Sequence, residues 1–107
     1  MKGTEKQIAW ATEIEANAIR NLENNIAKMS TEPHFTNNVH AMKLMLTVVK
    51  AAFAAQDDVT KIIDRREMFA PASLFATCDR WAEMLRSGKI TLADIAARNG
   101  LKDYKED

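Results

Sequence analysis

The chain has 107 residues, a formal net charge of zero and 47% hydrophobic residues, many of them alanine. That length suits one domain with a modest core and no need of disulfides. The balanced charge argues against a strongly basic nucleic-acid binder and against a polyanionic mimic of DNA. A lone cysteine, Cys78, excludes an internal disulfide and fits a reducing cytoplasm. No apolar run reaches the length of a signal peptide or a membrane span, and the longest, Val48 to Ala55, is interrupted by Lys50.

Three glycines and two prolines leave room for few turns, and few turns in a chain of this length mean a few long helices. The first helix is expected from Glu5 to about Met29. Thr4 and Gln7 have the spacing of a capping box, and Glu5 places a negative charge in the first turn, where the helix dipole favours it. Ile8, Ala11, Ile14 or Glu15, Ala18, Leu22, Ile26 and Met29 form an apolar stripe, widened by Trp10 and Ile19. Trp10 is therefore expected to be buried. Pro33 disfavours the α conformation at Glu32 and breaks the helix.

A second helix starts at Thr36 or Asn37 and ends near Gln56, with Val39, Met42, Met45 or Leu46, Val49 and Phe53 inward. Asp57 or Asp58 caps a short third helix from Val59 to about Glu67, with Val59, Ile62 and Ile63 inward. Pro71 suits the first position of a fourth helix. Leu74, Cys78, Trp81, Ala82 and Leu85 then give the cleanest amphipathic pattern in the chain, and Gly88 stops it. Thr91 caps a short fifth helix from Leu92 to Asn99, closed by Gly100 and Leu101 in a Schellman pattern. Residues 103–107 read as a frayed charged tail. The expected fold is an all-α bundle of five helices in a single domain, residues 1–107: two long, one short, one long and one short.

No arrangement of residues in the sequence points to catalysis. His34 and His40 are six apart, not the i, i+4 of a zinc helix, so no metal site is expected. His34 reads as a loop residue and His40 as a surface residue. Cys78 lies on an apolar face and reads as a small buried hydrophobe rather than a nucleophile. Asp64 and Glu67 flank Arg65 and Arg66, as a solvated salt-bridge face would. There is no glycine-rich phosphate loop, no serine triad order and no HExxH. We therefore expect no enzyme and no cofactor.

Arg65 and Arg66 are adjacent beside a turn, and paired arginines can grip a carboxylate or phosphate in a bidentate manner. Helical neighbours point about 100° apart, so both cannot face the core. Met68 and Phe69 follow in a predicted connection and offer an apolar patch. Basic residues are unevenly spread. Residues 36–56 hold Lys43 and Lys50 and no acid, and residues 80–102 hold Arg80, Arg86, Lys89, Arg98 and Lys102 against Glu83 and Asp94.

Two stretches carry resemblances. Ile90 to Leu101 resembles the first helix and turn of a helix-turn-helix, but only six polar or charged residues follow, so no recognition helix comes after it. It reads as a closing helix. The opening Gly3-Thr4-Glu5-Lys6-Gln7-Ile8-Ala9-Trp10-Ala11, with Ile14, resembles the G-[ST]-x-K-Q-x-x-W-A-x-x-I start of small helical modules of bacterial phages and mobile elements. Ile62-Ile63-Asp64-Arg65-Arg66 resembles their later W-I-D-x-R segment, with Ile62 in place of the aromatic. The resemblance implies a context and no particular chemistry. The first reading of function is thus a cytoplasmic, non-enzymatic module that binds a protein, as a phage or mobile-element factor docking on a host or defence complex. Arg65, Arg66, Met68, Phe69, Arg86 and Lys89 are the candidate contact residues. The alternative is an accessory nucleic-acid binder using a basic helical face. No membrane partner is expected.

Overall fold

A computed structural model gives the positions of residues 2–106. The protein is an all-α bundle: α1 Glu5–Met29, α2 Thr36–Ala55, α3 Val59–Asp64, α4 Pro71–Ser87 and α5 Leu92–Arg98. Short 3-10 turns, Pro33–Phe35 and Arg66–Phe69, precede α2 and α4. Among the described residues there is no strand, only one isolated parallel bridge between Lys2 and Asp58.

Helix α1 begins where its capping box dictates. Thr4 Oγ1 accepts from the Gln7 N–H at 3.1 Å, and Gln7 Oε1 accepts from the Thr4 N–H at 3.0 Å. Removing the hydroxyl with Thr4→Ala should lower stability by about 1 kcal/mol in urea melts. The helix buries Ala11, Ala18 and Leu22, with Ile8, Ile14, Ile26 and Met29 partly covered. The two alanines let α2 lie close against it. Helix α2 is the spine of the bundle. It packs on α1, α4 and α5, and it buries Val39, Ala41, Met42, Leu44, Met45, Val49 and Phe53. A helix covered on several sides must be apolar on more than one stripe, and this one is.

Helix α3 is shorter than its sequence pattern suggests. Asp58 caps it, accepting from the Thr60 N–H at 3.0 Å and the Thr60 hydroxyl at 2.7 Å. Those bonds, the hydroxyl foremost, hold the Asp58 carboxyl below its usual 3.8. The helix ends at Asp64 rather than near Glu67, and the chain tightens into the 3-10 turn from Arg66. Pro71 forces an extended Ala70, φ −68° and ψ 148°. The tighter winding lets Arg66 reach α1 and Phe69 reach Phe53, whose ring centroid is 4.8 Å away.

Helix α4 buries Leu74, Cys78, Trp81 and Ala82, and Gly88 ends it in the left-handed conformation at φ 76°. Helix α5 carries a second capping box: Asp94 accepts from the Thr91 N–H, which lowers its carboxyl pKa, and returns its own N–H to the Thr91 hydroxyl. The stability that the Asp58 and Asp94 caps supply is present above the ordinary carboxylate value of 3.8 and is lost as pH falls through their lowered native values. The Schellman ending is present, with the Gly100 N–H on Ala97 O at 3.1 Å and the Leu101 N–H on Ala96 O at 2.9 Å.

Of the tail, residues 103–106 are described and residue 107 lies outside the described residues. Tyr104 packs against the core, and Glu106 reaches His40 and Lys43 on α2. His40 is accordingly half-buried and bonded rather than a bare surface residue. The physical reason is charge: α2 carries lysines and no acid, and the tail supplies a counter-charge. No helix among the described residues is long and apolar enough to cross a membrane.

Cys78 is 2% exposed, and burial, reinforced by the neighbouring Asp79 carboxylate, pushes its thiol up to about 12. The folded protein should resist thiol reagents at pH 8 and react once unfolded in denaturant. Unfolding returns the thiol to its ordinary 9.0, so its contribution to stability is complete below that pH and is lost as pH rises toward 12.

Candidate functional site

The two sequence segments that resemble mobile-element modules lie against each other. Ahead of α1, the Lys2 N–H donates to Asp57 O, and the Val59 N–H donates to Lys2 O at 3.0 Å. Gly3, at φ 145°, passes so close to α3 that a Cβ there would sit 2.3 Å from Val59 Cγ2. The glycine of the opening motif is thus needed for contact with the start of α3, three residues ahead of the later segment.

About one and a half α1 turns beyond the cap, the two segments themselves meet. The Arg66 guanidinium lies over the Trp10 ring, 5.2 Å from its centroid. Arg66 Nη1 also donates to Ile63 O at 2.8 Å, which pins the guanidinium in place. A cation over an indole at an exposed site contributes about 0.5–1 kcal/mol. Trp10 is therefore not a core residue as its place beside the apolar stripe implied: it is 45% exposed. The buried line of α1 runs through Ala11, Ala18 and Leu22, and Trp10 falls on its shoulder, roughly 100° round from Ala11.

Arg65 is exposed, and among the described residues no hydrogen bond or ion pair holds its side chain. Met68 is 63% exposed, while Phe69 is tucked against Phe53. Met68 and Phe69 separate two depressions. The larger, about 490 Å³, has Met45, Val49, Leu74 and Trp81 in its lining. The smaller, about 190 Å³, sets Lys61 and Arg65 beside Ala52 and Ile62. Trp10 and Met68 are the large apolar side chains that stand exposed, and both belong to the junction of α1 with the Arg66–Phe69 turn, elements in direct contact.

The other two candidates are elsewhere. Arg86 Nη1 donates to Glu83 Oε2 at 2.6 Å in the last turns of α4, and Lys89 is exposed just beyond Gly88. Arg86 is fifteen residues from Pro71, which starts α4 beside the Met68 turn, or about 22 Å along the helix. The structure therefore gathers Arg65, Arg66, Met68 and Phe69 and leaves Arg86 and Lys89 apart. Trp10 is an exposed residue of this junction that periodicity alone places in the core. The signal was available in its stripe: Ala11, Ala18 and Leu22 stand at steps of seven and four, and Trp10 lies one position off that line.

No protein-family model, curated protein or solved structure matches the chain. The site must be read from its own chemistry. Among the described residues no group of three or more His, Cys, Asp or Glu side chains is placed to hold a metal ion. What the junction offers is an indole face, the Arg66 guanidinium held over it, the exposed Arg65 guanidinium and a thioether. Aromatic residues, Met and Arg are enriched at protein interfaces relative to the rest of the surface, and Lys, Glu and Asp are depleted there.

Proposed function

We propose that the chain is a non-enzymatic protein-binding module that docks through the Trp10, Arg65, Arg66 and Met68 surface. Following the resemblance of its opening and its I-D-x-R segment, we assign it to a phage or mobile element, with a host or defence complex as the partner it modulates in the cytoplasm. The observation that carries this reading is the Arg66 guanidinium lying over the exposed Trp10 indole, on the same short turn that exposes Met68 and beside the exposed Arg65. Trp and Arg are the residues in which interface binding energy concentrates, and Met adapts its shape to a partner. The basic residues that a nucleic-acid binder would use are partly neutralised, Arg86 by Glu83 and Lys43 by Glu106.

The test is to capture a partner from host lysate and then measure its affinity for purified variants. Trp10→Ala and the double change Arg65→Ala with Arg66→Ala should each weaken binding about tenfold or more, as hot-spot truncations do. Stability should shift by less than about 1 kcal/mol in the double variant, since exposed charge contacts contribute little. Unchanged affinity would remove this surface from the function. A salt-dependent shift of DNA or RNA in a gel, lost in the same variants, would replace the protein partner with nucleic acid.

A further inference from the structure

The last described residues touch α2 through charge. Glu106 divides its carboxylate between two partners: Oε2 meets His40 Nδ1, and Oε1 meets Lys43 Nζ at 3.4 Å. The Glu106 side chain keeps only 20% of its exposure. Tyr104, two residues earlier, packs against the core cluster. An aromatic ring and a carboxylate thus anchor the tail together.

The surface beneath is a groove. A depression of about 390 Å³ between α1 and α2 has Ile26, Ala27 and Leu46 in its lining, with Lys43 and Lys50 along it. A second, of about 290 Å³, shares Lys43 and Glu106 with the first. Glu106 stands where the two meet, so lifting the tail joins them. Lys43 and Lys50 are seven apart on α2, which puts them on one face. Among the described residues no carboxylate pairs with Lys50. With the tail lifted, His40, Lys43 and Lys50 would line the joined groove against two acids, Glu23 of α1 at the Lys50 end and Glu32 beside the Pro33 turn.

We infer that this groove is a binding site for an acidic peptide segment of a partner protein, one that presents an aromatic residue two positions before a carboxylate, and that residues 101–106 occupy it in cis as a competitor. The tail's own contacts define the chemistry: an apolar floor for the ring, and an imidazole and an ammonium for the carboxylate. A segment with an additional acid engages Lys50 as well, which the tail does not, and so displaces the tail. This extends the protein-binding reading to a second face that stands or falls separately. Trp10 and Glu23 are thirteen residues apart on α1, about 20 Å along its axis.

The test uses the full chain carrying Tyr104→Ala and Glu106→Ala, and a labelled, end-capped peptide of sequence Leu-Lys-Asp-Tyr-Lys-Glu as the probe. Fluorescence polarisation should show the peptide binding this variant at least roughly tenfold tighter than the unaltered protein, in which the tethered tail competes at an effective concentration on the order of millimolar. Adding Lys43→Glu should abolish the binding, as should replacing the peptide's glutamate by glutamine. A variant with an unchanged helical spectrum that binds no tighter, or binding indifferent to Lys43→Glu, overturns the proposal. Concentration-dependent dimers that exchange tails, detected by light scattering, would give the groove to a second copy and overturn the assignment to a partner protein. If the double variant fails to fold, Lys43→Glu alone decides: trypsin should cut after Lys102 and Lys105 several-fold faster than in the unaltered protein, and an equal rate overturns the proposal.

Discussion

Trp81→Ala is expected to lower stability by about 3–5 kcal/mol, the usual cost of truncating a core aromatic. Trp81 is 7% exposed and stands in the heart of the α4 stripe with Leu74, Cys78 and Ala82. It faces α2, and Met45 and Val49 share the groove it lines. The α2–α4 contact is one of the two most extensive in the bundle, so the void would fall in a main seam rather than at an edge. A domain of this size has about 5–15 kcal/mol in total, so the variant would sit near the edge of folding. Urea unfolding followed by far-ultraviolet circular dichroism gives the measurement, with Trp10 as an independent fluorescence probe. Trp81→Phe, which keeps a ring in the seam, should cost much less. A loss under about 1 kcal/mol from the alanine change would place Trp81 at the surface, where substitutions usually fall within ~0.5 kcal/mol.

Trp10 and Trp81 show how far patterning carries and where it stops. Both lie in apolar helical stripes, and only one is buried. In α4 the stripe is made of Leu74, Cys78, Trp81, Ala82 and Leu85, so its centre is unambiguous. In α1 it is broad, and of its many apolar residues only Ala11, Ala18 and Leu22 are buried. Periodicity records which face turns inward, not how close the neighbour comes. Caps are different, because a cap is a local contract between residues three or four apart. Thr4 with Gln7, Thr91 with Asp94, and Gly88 and Gly100 at the helix ends were all legible, or nearly so, in the sequence and all stand as hydrogen bonds or left-handed turns.

Long-range features left weaker traces. The turn after α3 joins Arg66 to Trp10, fifty-six positions away, and Phe69 to Phe53, contacts that no local pattern records. The docking of the tail depends on Glu106 finding His40 and Lys43. Its trace was the run of residues 36–56 with lysines and no acid, which an acidic segment can meet and which Glu106 meets at Lys43 but not at Lys50. Of the candidate contact residues, Arg65, Arg66, Met68 and Phe69 were found by their adjacency beside a turn. Arg86 was singled out by charge alone, and charge alone does not reveal that Glu83 already holds it.

Gly3→Ala tests whether the opening motif is structural. A side chain at φ 145° is strained, at a cost of order 1–3 kcal/mol. The new Cβ would also meet Val59 Cγ2 at 2.3 Å, and Val59 is fully buried, so it cannot yield. The chain has one escape, which is to lift residues 2 and 3 off the start of α3. That sacrifices the hydrogen bonds of Lys2 to Asp57 and Val59, each contributing about 0.5–1.5 kcal/mol net. The escape sets the ceiling, so the expected loss is about 1–3 kcal/mol. Hydrogen exchange should locate it: the Val59 amide, which donates to Lys2 O, should lose protection well before the amides in the middle of α2. The Trp10–Arg66 contact lies about one and a half helical turns beyond the cap, so partner affinity should fall only as far as that junction loosens. If Gly3→Ala left both stability and Val59 protection unchanged yet abolished binding, the glycine would be read by the partner, and the close approach to Val59 would not be the reason that a glycine stands there.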